Sequence, residues 1–342
     1  MSNAAICGAR SLQFERSLES NDSNTFLSEL PIFQKILAFE LTTRGKSWRL
    51  FLGKAMRQAL PGFRLHARLA SLFGRSVKVS VMGKTFNMDL RDEAVSATIF
   101  KDGIWEPEET EFLGKILRPG MVFIDIGAHI GYYTVIASSF VGGTGKVFAF
   151  EPDPGNFALL RKNVTENHCQ NVVIGQKAIA ASTQKVSLYR SKGNYGDHRT
   201  YDPHDEVIRQ PRTKRQLVAV EALSLDDYFA ARPTKIDVVK MDIQGSEYDA
   251  FIGMRRTLDQ NADVTILTEF WPTGLKQAGV APSLFLHEVR AGGFQIYRLE
   301  QARIQEISDS DILNRLSGDD YMSLILSRSK LPQLDDEELR NH

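Results

Sequence analysis

The sequence predicts an α/β fold in which helices cover both faces of a mostly parallel sheet. Between residues 121 and 269, apolar runs of strand length alternate with stretches of helical periodicity. This alternation is typical of parallel strands joined by right-handed helical crossovers. The runs VFIDI and VVKM are apolar on almost every residue, as expected for strands buried on both faces. A chain of 342 residues has room for one such domain and an extension.

The first 75 residues are predicted to form a basic, helical extension. Apolar residues recur at helical spacing from residue 26 to residue 73, with breaks at Pro31 and Pro61. The stretch from Arg44 to Arg75 contains eight Lys or Arg residues and no Asp or Glu. Such an arm can contact an anionic membrane surface, or pack on its own domain or on the second subunit of a homodimer. Packing with solvated charges is the favoured interpretation.

Strand-like and helix-like stretches alternate from residue 76 to residue 330, which are predicted to form one domain. Alternating apolar and polar residues around Met82-Gly83-Lys84 predict a β-hairpin. Further strands are predicted at 121–125, 146–151, 171–175, 235–242 and 263–269, with helices beginning near Tyr132, Pro154 and Ser246. The late runs FQIYRL, RIQEI and YMSLILS predict short strands, one of which closes the sheet antiparallel. Residues 331–342 are a polar tail.

Composition excludes several classes of protein. Forty-two basic residues balance 42 acidic ones, so the whole molecule has no strong field for nucleic acid, and no nucleic-acid partner is expected. Two isolated cysteines, Cys7 and Cys169, support neither a disulfide framework nor a zinc site. No apolar run approaches the length that spans a bilayer, and the N-terminal residues lack the pattern of a secretory signal. A cytoplasmic location is therefore expected.

The segment FIDIGAHIGYYTV predicts a ligand-binding turn between a strand and a helix. Asp125 ends the strand, and Gly127 and Gly131 let the backbone adopt unusual torsions before the helix begins. The start of that helix points its N–H groups into the crevice. The G-x-x-x-G spacing after an acidic residue differs from the G-x-G-x-x-G of dinucleotide binders. Asp125 would hold an ammonium group and repel a phosphate; the alternative is a structural turn.

Two other segments place acidic residues at predicted strand ends. Glu151 follows the strand KVFAF, 26 residues after Asp125, where a carboxylate can accept hydrogen bonds from both ribose hydroxyls. In VVKMDIQGSEYDAF, Asp242 follows a strand, and Glu247 falls in the first turn of the next helix. Asp242 is expected beside the reacting centre, whereas Glu247 can equally serve the helix dipole.

Taken together, these segments resemble the FkbM-type family of S-adenosylmethionine (SAM)-dependent methyltransferases. The resemblance spans residues 104 to 326 and includes WEPEE, FIDIGAHIG, FAFEPDP, LLRKNVTEN, AIA, SLDDYF, VKMDIQGSE, LTEF and the late GGF. It implies a Rossmann-like class I methyltransferase fold with seven strands, the last pair antiparallel. It also implies SAM as donor and hydroxyls of small molecules, sugars or glycans as acceptors.

Carried over by position, the resemblance places the methionine and sulfonium groups near Asp125, Gly127 and His129, the ribose near Glu151 and the adenine near Ala178. The residues expected to bind the cofactor are Asp125, Gly127, Ala128, His129, Gly131, Glu151, Pro152, Ala178 and Asp242.

A hydroxyl acceptor must lose a proton, so a general base is required. The candidates are Asp242, His129, His198 and Glu269; Asp242 is the first choice, and His129 the second catalytic candidate. No metal is predicted, because the acidic residues near strand ends, Asp237 among them, lack ligand spacing. The polar loop 191–216 is hypothesised to be a lid over the acceptor. Alternatives are an amine acceptor, a non-catalytic SAM-binding module and, less favoured, an NAD-dependent oxidoreductase.

Overall fold

A computed structural model describes residues 76–203, 215–300 and 303–331. The predicted basic extension of residues 1–75 and the tail from residue 332 lie outside the described residues, as do residues 204–214 of the predicted lid. Within the described part of the chain, no helix combines the length and apolar character that a membrane span requires.

The described chain contains thirteen strands and ten helices. The strands are β1 (Ser76–Val81), β2 (Lys84–Asp89), β3 (Val122–Ile126), β4 (Lys146–Phe150), β5 (Val172–Gly175), β6 (Ala178–Ile179), β7 (Gln184–Arg190), β8 (Gln216–Leu223), β9 (Val238–Met241), β10 (Thr265–Phe270), β11 (Gln295–Glu300), β12 (Arg303–Glu306) and β13 (Met322–Ser327). The helices are α1 (Val95–Asp102), α2 (Pro107–Ile116), α3 (Tyr132–Val141), α4 (Pro154–Glu166), α5 (Leu225–Ala230), α6 (Glu247–Ile252), α7 (Arg255–Asp259), α8 (Pro272–Gln277), α9 (Pro282–Ala291) and α10 (Asp309–Arg315).

One large sheet forms the centre of the fold, with strand order β12-β11-β13-β10-β9-β3-β4-β5. The five strands β5, β4, β3, β9 and β10 pair with one another in parallel. Strand β13 runs antiparallel between β10 and β11. This arrangement confirms the predicted Rossmann-like class I methyltransferase fold. The strand count of seven was wrong by one, because β12 adds an edge strand that pairs antiparallel with β11.

The sheet order creates the crevice that holds the candidate site. From β3 the chain moves outward through β4 and β5, then returns to the other side of β3 as β9 and β10. Ligands of open α/β sheets bind at such a reversal, beyond the carboxyl ends of the strands. Buried apolar side chains of β3, β9 and β10 pack against the covering helices, so these strand ends are held rigidly.

The predicted hairpin is confirmed as β1 and β2, and one buried asparagine attaches it to the central domain. Asn163 of α4 accepts a hydrogen bond from the backbone N–H of Asn87 on β2 (2.6 Å). Its side-chain amide donates to the carbonyl oxygens of Asn87 (3.1 Å) and Ile130 (2.8 Å). Three backbone groups of the hairpin and of the β3–α3 loop are thereby satisfied by a single side chain.

A second, three-stranded sheet of order β6-β8-β7 was not predicted from the sequence. Its strands β7 and β8 pair antiparallel over their whole length although residues 191–215 separate them. Strand β6 pairs with β8 in parallel, which places Ala178 opposite Ala222. This sheet brings Ala178, and the start of the 191–203 segment, to the edge of the crevice.

Candidate active site

A cavity of about 430 Å³ lies at the carboxyl ends of β3, β4, β9 and β10. The expected cofactor-binding residues that line this cavity are Gly127, Ala128, His129, Glu151, Pro152, Ala178 and Asp242. Asp125 and Gly131 do not line it. The loops after β3, β4 and β9, together with β6, thus all contribute expected residues to one cavity.

Gly127 and Gly131 are glycines for reasons of packing. Both have φ +86°, a left-handed conformation that strains residues with a side chain. A Cβ on Gly127 would lie 2.0 Å from the carbonyl oxygen of Asp242, because the β3–α3 loop crosses directly over the end of β9. A Cβ on Gly131 would lie 2.6 Å from Cδ1 of Leu160 on α4. The two glycines therefore bring the loop close to the strand and helix beside it.

Asp125 supports the loop from below. Its side chain is buried, and Oδ2 accepts a hydrogen bond from the Thr134 hydroxyl at 2.5 Å. Burial raises the pKa of Asp125 to about 6, against the opposing effect of the Thr134 hydrogen bond. The sequence predicts that Asp125 lines the methionine side of the site. The geometry instead gives it an internal partner in α3, and Gly131 likewise begins that helix without lining the cavity.

Glu151 faces the cavity from the end of β4 while being only 4% exposed. Its Oε2 accepts the backbone N–H of His129 (2.9 Å), and Oε1 accepts that of Asp153 (2.9 Å). Burial raises the pKa of Glu151 to about 8 in spite of these two hydrogen bonds. Each carboxylate oxygen keeps a second lone pair for a ligand hydroxyl.

His129 presents an imidazole whose two nitrogens have no hydrogen-bond partner among the described residues. Its backbone is left-handed at φ +51°, and Nε2 lies 3.9 Å from Oδ2 of the buried Asp92. Burial lowers the pKa of His129, and the nearby carboxylates of Asp92 and Asp242 oppose that effect. The ring is therefore a neutral group with free polar atoms at the cavity wall.

His198, named among the candidate bases, has the wrong hydrogen bonding for that role. Its Nδ1 accepts the backbone N–H of Ser191 at 3.0 Å, so the proton of the neutral ring sits on Nε2. Burial also lowers the pKa of His198 to about 4. Because Nδ1 already accepts a hydrogen bond and Nε2 carries the proton, neither ring nitrogen can take a proton from an acceptor hydroxyl.

Carboxyl groups surround the buried ammonium group of Lys240 on β9. Nζ lies 3.3 Å from Glu109 Oε2, 3.4 Å from Asp242 Oδ2 and 3.7 Å from Glu106 Oε2, and 4.5 Å from the centre of the Tyr133 ring. Burial by itself would lower the pKa of Lys240, but the surrounding carboxylates outweigh it and hold the pKa well above its ordinary value. Burial raises the pKa of Glu106 to about 8.

Asp242 is held in place by neighbours on both sides. Besides its ion pair with Lys240, its Oδ1 accepts a hydrogen bond from the Gln244 side-chain amide at 3.0 Å. The same amide donates to Glu269 Oε2 at 3.0 Å. Burial, followed by the charge of Asp242, raises the pKa of Glu269 well above its ordinary value. The raised pKa favours the protonated form of Glu269, which argues against its candidacy as the base.

Left-handed backbone is concentrated at this site. Of the five described residues other than glycine with positive φ, three line the cavity: Glu106 (φ 40°), His129 (φ 51°) and Gln244 (φ 54°). Such conformations persist only where the surrounding structure enforces them, and they cluster at functional sites. Glu247 supplies part of that enforcement, since its carboxylate accepts the backbone N–H groups of Ile243 (3.0 Å) and Gly245 (2.8 Å). Its role is to hold the loop after β9.

Several residues of the cavity wall were not predicted from the sequence to take part in the site. Glu106 and Trp105 belong to the WEPEE segment, which contributed to the resemblance but received no function. Trp271 and Tyr321 add aromatic rings from beyond β10 and before β13. Glu109 completes the cluster from α2, where its Oε1 accepts the Ser323 hydroxyl at 2.6 Å. The density of acidic and aromatic residues in WEPEE was the available indication.

Residues 191–203, the described part of the predicted lid, cover the cavity and are attached at both ends of it. Tyr195 donates its backbone N–H to Asp92 (3.1 Å) and accepts the side-chain amide of Asn156 (3.0 Å). At the other end, the Tyr201 hydroxyl donates to the Gln244 carbonyl at 2.7 Å. The segment is therefore attached to Asp92 and the first turn of α4 at one end and to the loop that carries Gln244 at the other.

The charge of the cavity fits a cationic ligand. Four carboxyl groups (Glu106, Glu109, Asp242 and Glu269) lie around the ammonium of Lys240, and the raised pKa values of Glu106 and Glu269 would fall again beside a positively charged ligand. A sulfonium and an ammonium group, as in SAM, would be stabilised there, whereas a pyrophosphate would be repelled. No group of three or more His, Cys, Asp or Glu in the described ranges is arranged to hold a metal ion. The expectation that no metal takes part stays a prediction.

Comparison with known proteins gives a family match at this site. A family model described as the methyltransferase FkbM domain matches residues 125–294. The matched stretch begins at Asp125 and contains Glu151, Ala178 and Asp242. It does not include Glu106 or Tyr321, which line the same cavity.

Three relatives are similar over parts of the chain. The 2-O-methyltransferase NoeI of Sinorhizobium fredii is 28% identical over 176 residues, 46% of this chain and 70% of that protein. The 31-O-demethyl-FK506 methyltransferase FkbM of Streptomyces tacrolimicus is 27% identical over 164 residues, 41% of this chain and 62% of its own length. A probable cobalt-precorrin-6B C(15)-methyltransferase (decarboxylating) of Sulfolobus acidocaldarius is 44% identical over 115 residues, 34% of this chain and 60% of its own length.

The chain spans less than two thirds of the last two relatives, and their names give different acceptor atoms. The shared element is methyl transfer on the domain that holds the cavity residues. The confirmed fold, the cavity at the carboxyl ends of the strands and the family match lead to one conclusion. Residues 125–294 of this chain form a domain of the FkbM type of SAM-dependent methyltransferases.

Proposed function

We propose that this protein is an O-methyltransferase that transfers the methyl group of SAM to a hydroxyl of a small molecule, sugar or glycan, with Asp242 as general base. The observation that carries the proposal is that Glu151 and Asp242 line one cavity, beside the carboxyl groups that cluster around Lys240. The oxygen acceptor is supported by the names of two relatives, a 2-O-methyltransferase and a 31-O-demethyl-FK506 methyltransferase.

In this proposal the cofactor lies across the strand ends. Glu151 accepts hydrogen bonds from the ribose hydroxyls with the lone pairs that its backbone partners leave free. Pro152 and Ala178 border the adenine, and the backbone of the Gly127–His129 loop borders the methionine group. The carboxylates around Lys240 stabilise the ammonium and sulfonium charges. Bound SAM supplies the electrophilic methyl group; the protein supplies position and electrostatics.

Asp242 is the best-placed base for the acceptor hydroxyl. Its side chain is 24% exposed toward the cavity, and its two oxygens are oriented by Lys240 and by the Gln244 amide. His129 is the alternative, because the residue lines the same cavity and neither ring nitrogen has a hydrogen-bond partner among the described residues. Holding the acceptor and the cofactor in contact contributes up to about 7–11 kcal/mol in favourable cases, and a positioned base adds roughly 10²- to 10⁴-fold.

The proposal is tested first by cofactor binding and then by turnover. SAM, and not NAD, should raise the melting temperature of the wild-type protein. Incubation of a metabolite extract with labelled SAM, read by mass spectrometry, should identify a methylated product and its acceptor atom. Formation of S-adenosylhomocysteine separates an enzyme from a non-catalytic SAM-binding module. A product methylated on nitrogen would replace the hydroxyl by an amine acceptor, and stabilisation by NAD alone would overturn the proposal.

The base assignment has its own test. Asp242→Asn should lower kcat with the identified acceptor by roughly 10²- to 10⁴-fold while SAM binding remains measurable. Asp263→Asn, at an exposed position away from the cavity, is the matched control and should leave kcat unchanged. Full activity of Asp242→Asn, together with loss of activity in His129→Ala, would transfer the role of base to His129.

A further inference from the structure

Tyr201, in the segment that covers the cavity, holds the loop that follows β9. Its hydroxyl donates to the carbonyl oxygen of Gln244 at 2.7 Å, and the neighbouring Thr200 hydroxyl shares a hydrogen bond of 2.7 Å with that of Ser246. Gly245 leaves room for the ring, because a Cβ at that position would lie 2.5 Å from the Tyr201 hydroxyl oxygen. Tyr201 itself does not line the cavity, so an effect on the reaction must pass through this loop.

The peptide group between Gln244 and Gly245 is held at both of its polar ends. Tyr201 binds the carbonyl oxygen, and Glu247 Oε2 accepts the N–H at 2.8 Å. The residues on either side are left-handed, with φ 54° at Gln244 and 99° at Gly245. A residue other than glycine keeps such a conformation only where its surroundings enforce it. Rotation of this peptide would break both hydrogen bonds, so the two contacts together fix the conformation of Gln244.

The side chain of Gln244 bridges two carboxyl groups of the cavity wall. Its amide nitrogen donates to Asp242 Oδ1 and to Glu269 Oε2, each at 3.0 Å. An amide nitrogen carries two hydrogens, so this bridge uses both of them. The other oxygen of Asp242 pairs with Lys240 on β9, so Oδ1 is the oxygen whose direction depends on the loop.

We propose that Tyr201 is a positioning residue for the base: by fixing the Gln244–Gly245 peptide, it sets the direction in which the Gln244 amide holds Asp242. This inference rests on the proposed function, in which Asp242 takes the proton of the acceptor hydroxyl. It gives the end of residues 191–203 a function in turnover, because separation of Tyr201 from the loop would also release Asp242 from its working orientation.

Hydrogen–deuterium exchange of the free protein tests the hold of Tyr201 on the loop without any ligand. Tyr201→Phe removes the hydroxyl and keeps the ring, so the backbone amides of residues 243–247 should exchange about tenfold faster than in the wild type. Tyr228→Phe, at a tyrosine of α5 that does not line the cavity, is the matched control and should leave exchange in this loop unchanged. Equal exchange in the wild type and in Tyr201→Phe would overturn the inference at its first step.

Turnover shows whether the hold on the loop reaches the base. We expect the rate of S-adenosylhomocysteine formation, at saturating SAM with a metabolite extract as the source of acceptor, to fall about tenfold in Tyr201→Phe. The dissociation constant for SAM, measured by calorimetry, should stay unchanged in this variant. Gln244→Met keeps the length of the side chain without its donors, so it should lower the rate at least as much. Exchange in the loop should remain near the wild-type value in Gln244→Met, because Tyr201 binds the backbone carbonyl.

A double variant separates positioning from a general weakening of the fold. If Tyr201 acts through the Gln244 amide, Tyr201→Phe should slow turnover much less in a protein that already carries Gln244→Met than in the wild type. Equal factors in both backgrounds would show that Tyr201 acts by another route and would sink the inference. If the wild type forms S-adenosylhomocysteine and Tyr201→Phe does so at the same rate, only the inference fails. If the wild type forms none, the proposed function fails and the inference fails with it.

Discussion

The buried carboxyl groups of Glu106 and Glu151 should make SAM binding a proton-releasing reaction. Burial raises the pKa of each of them to about 8 in the free protein. At pH 7 a group with that pKa is about 90% protonated, so the pair holds roughly 1.8 protons. A ligand that favours the charged form of both groups must displace these protons.

The environments of Glu151 and Glu106 determine how many protons are released when SAM binds. Glu151 is already only 4% exposed, so a bound ribose adds little desolvation, while its hydroxyls donate hydrogen bonds that favour the carboxylate. Glu106 lies 3.7 Å from Lys240 in the cluster proposed to face the sulfonium and ammonium charges, which lower its pKa in the same way. If both pKa values return to their ordinary range, about 1.8 protons leave at pH 7 and about 0.2 at pH 9.

Calorimetry in buffers of different ionisation enthalpy measures this number directly. The observed binding enthalpy should change linearly with buffer ionisation enthalpy, with a slope of about 1 to 2 protons at pH 7 and a much smaller slope at pH 9. Glu151→Gln should lower the slope at pH 7 by about 0.9, because that position then has no proton to release. The exposed Glu166→Gln is the control and should leave the slope unchanged. A slope of zero at pH 7, or equal slopes at both pH values, would refute the reasoning.

Three further predictions concern stability, measured by urea unfolding. Gly127→Ala should destabilise the free protein by at least about 2 kcal/mol more than Gly83→Ala, because both glycines are left-handed but only the first would contact a neighbouring backbone. Lys240→Met should cost about 3–5 kcal/mol at pH 8 and less at pH 5, where Glu106, whose pKa is raised to about 8, is protonated. Lys235→Met, at a position whose side chain is 79% exposed, should cost little. The wild-type free protein should lose stability as the pH rises from about 5 to 8, because the pKa of Glu151 is higher in the folded than in the unfolded state. The stabilisation is complete below the unfolded pKa and is lost as the pH rises through the folded pKa. A free energy of unfolding that increases over this range would contradict the raised pKa.

The parallel sheet and its ligand-binding edge could be predicted from the sequence because they follow from local patterns. Apolar runs at β3, β4 and β9 identify the strands, and parallel strands present their carboxyl ends at one edge. Glu151 and Asp242 follow such strands directly and therefore reach the same cavity. Asp125, one residue before the end of β3, faces Thr134 instead, which the alternation of side chains along a strand decides and apolar patterning does not.

Other features depend on contacts between distant segments and could not be predicted in this way. Strands β7 and β8 pair although 25 residues separate them, and no local sequence pattern predicts that pairing. Glu106 and Tyr321 reach the cavity only because α2 and β13 pack beside the central strands. The unsuitability of His198 as a base depends on one hydrogen bond from Ser191, which fixes the position of a proton. No sequence periodicity contains that information.

The hydrogen bond between Ser323 and Glu109 has a practical consequence for choosing the boundaries of shortened proteins. Glu109 precedes the family match and contacts Lys240, whereas Ser323 follows the match and donates its hydroxyl to Glu109. A fragment cut to residues 125–294 would leave the Lys240 ammonium with two fewer carboxylates and would lack β13, the strand that pairs with both β10 and β11. The matched stretch expressed by itself should therefore have an unpaired sheet edge and a buried Lys240 ammonium with too few carboxylate partners, and should not be a smaller working enzyme.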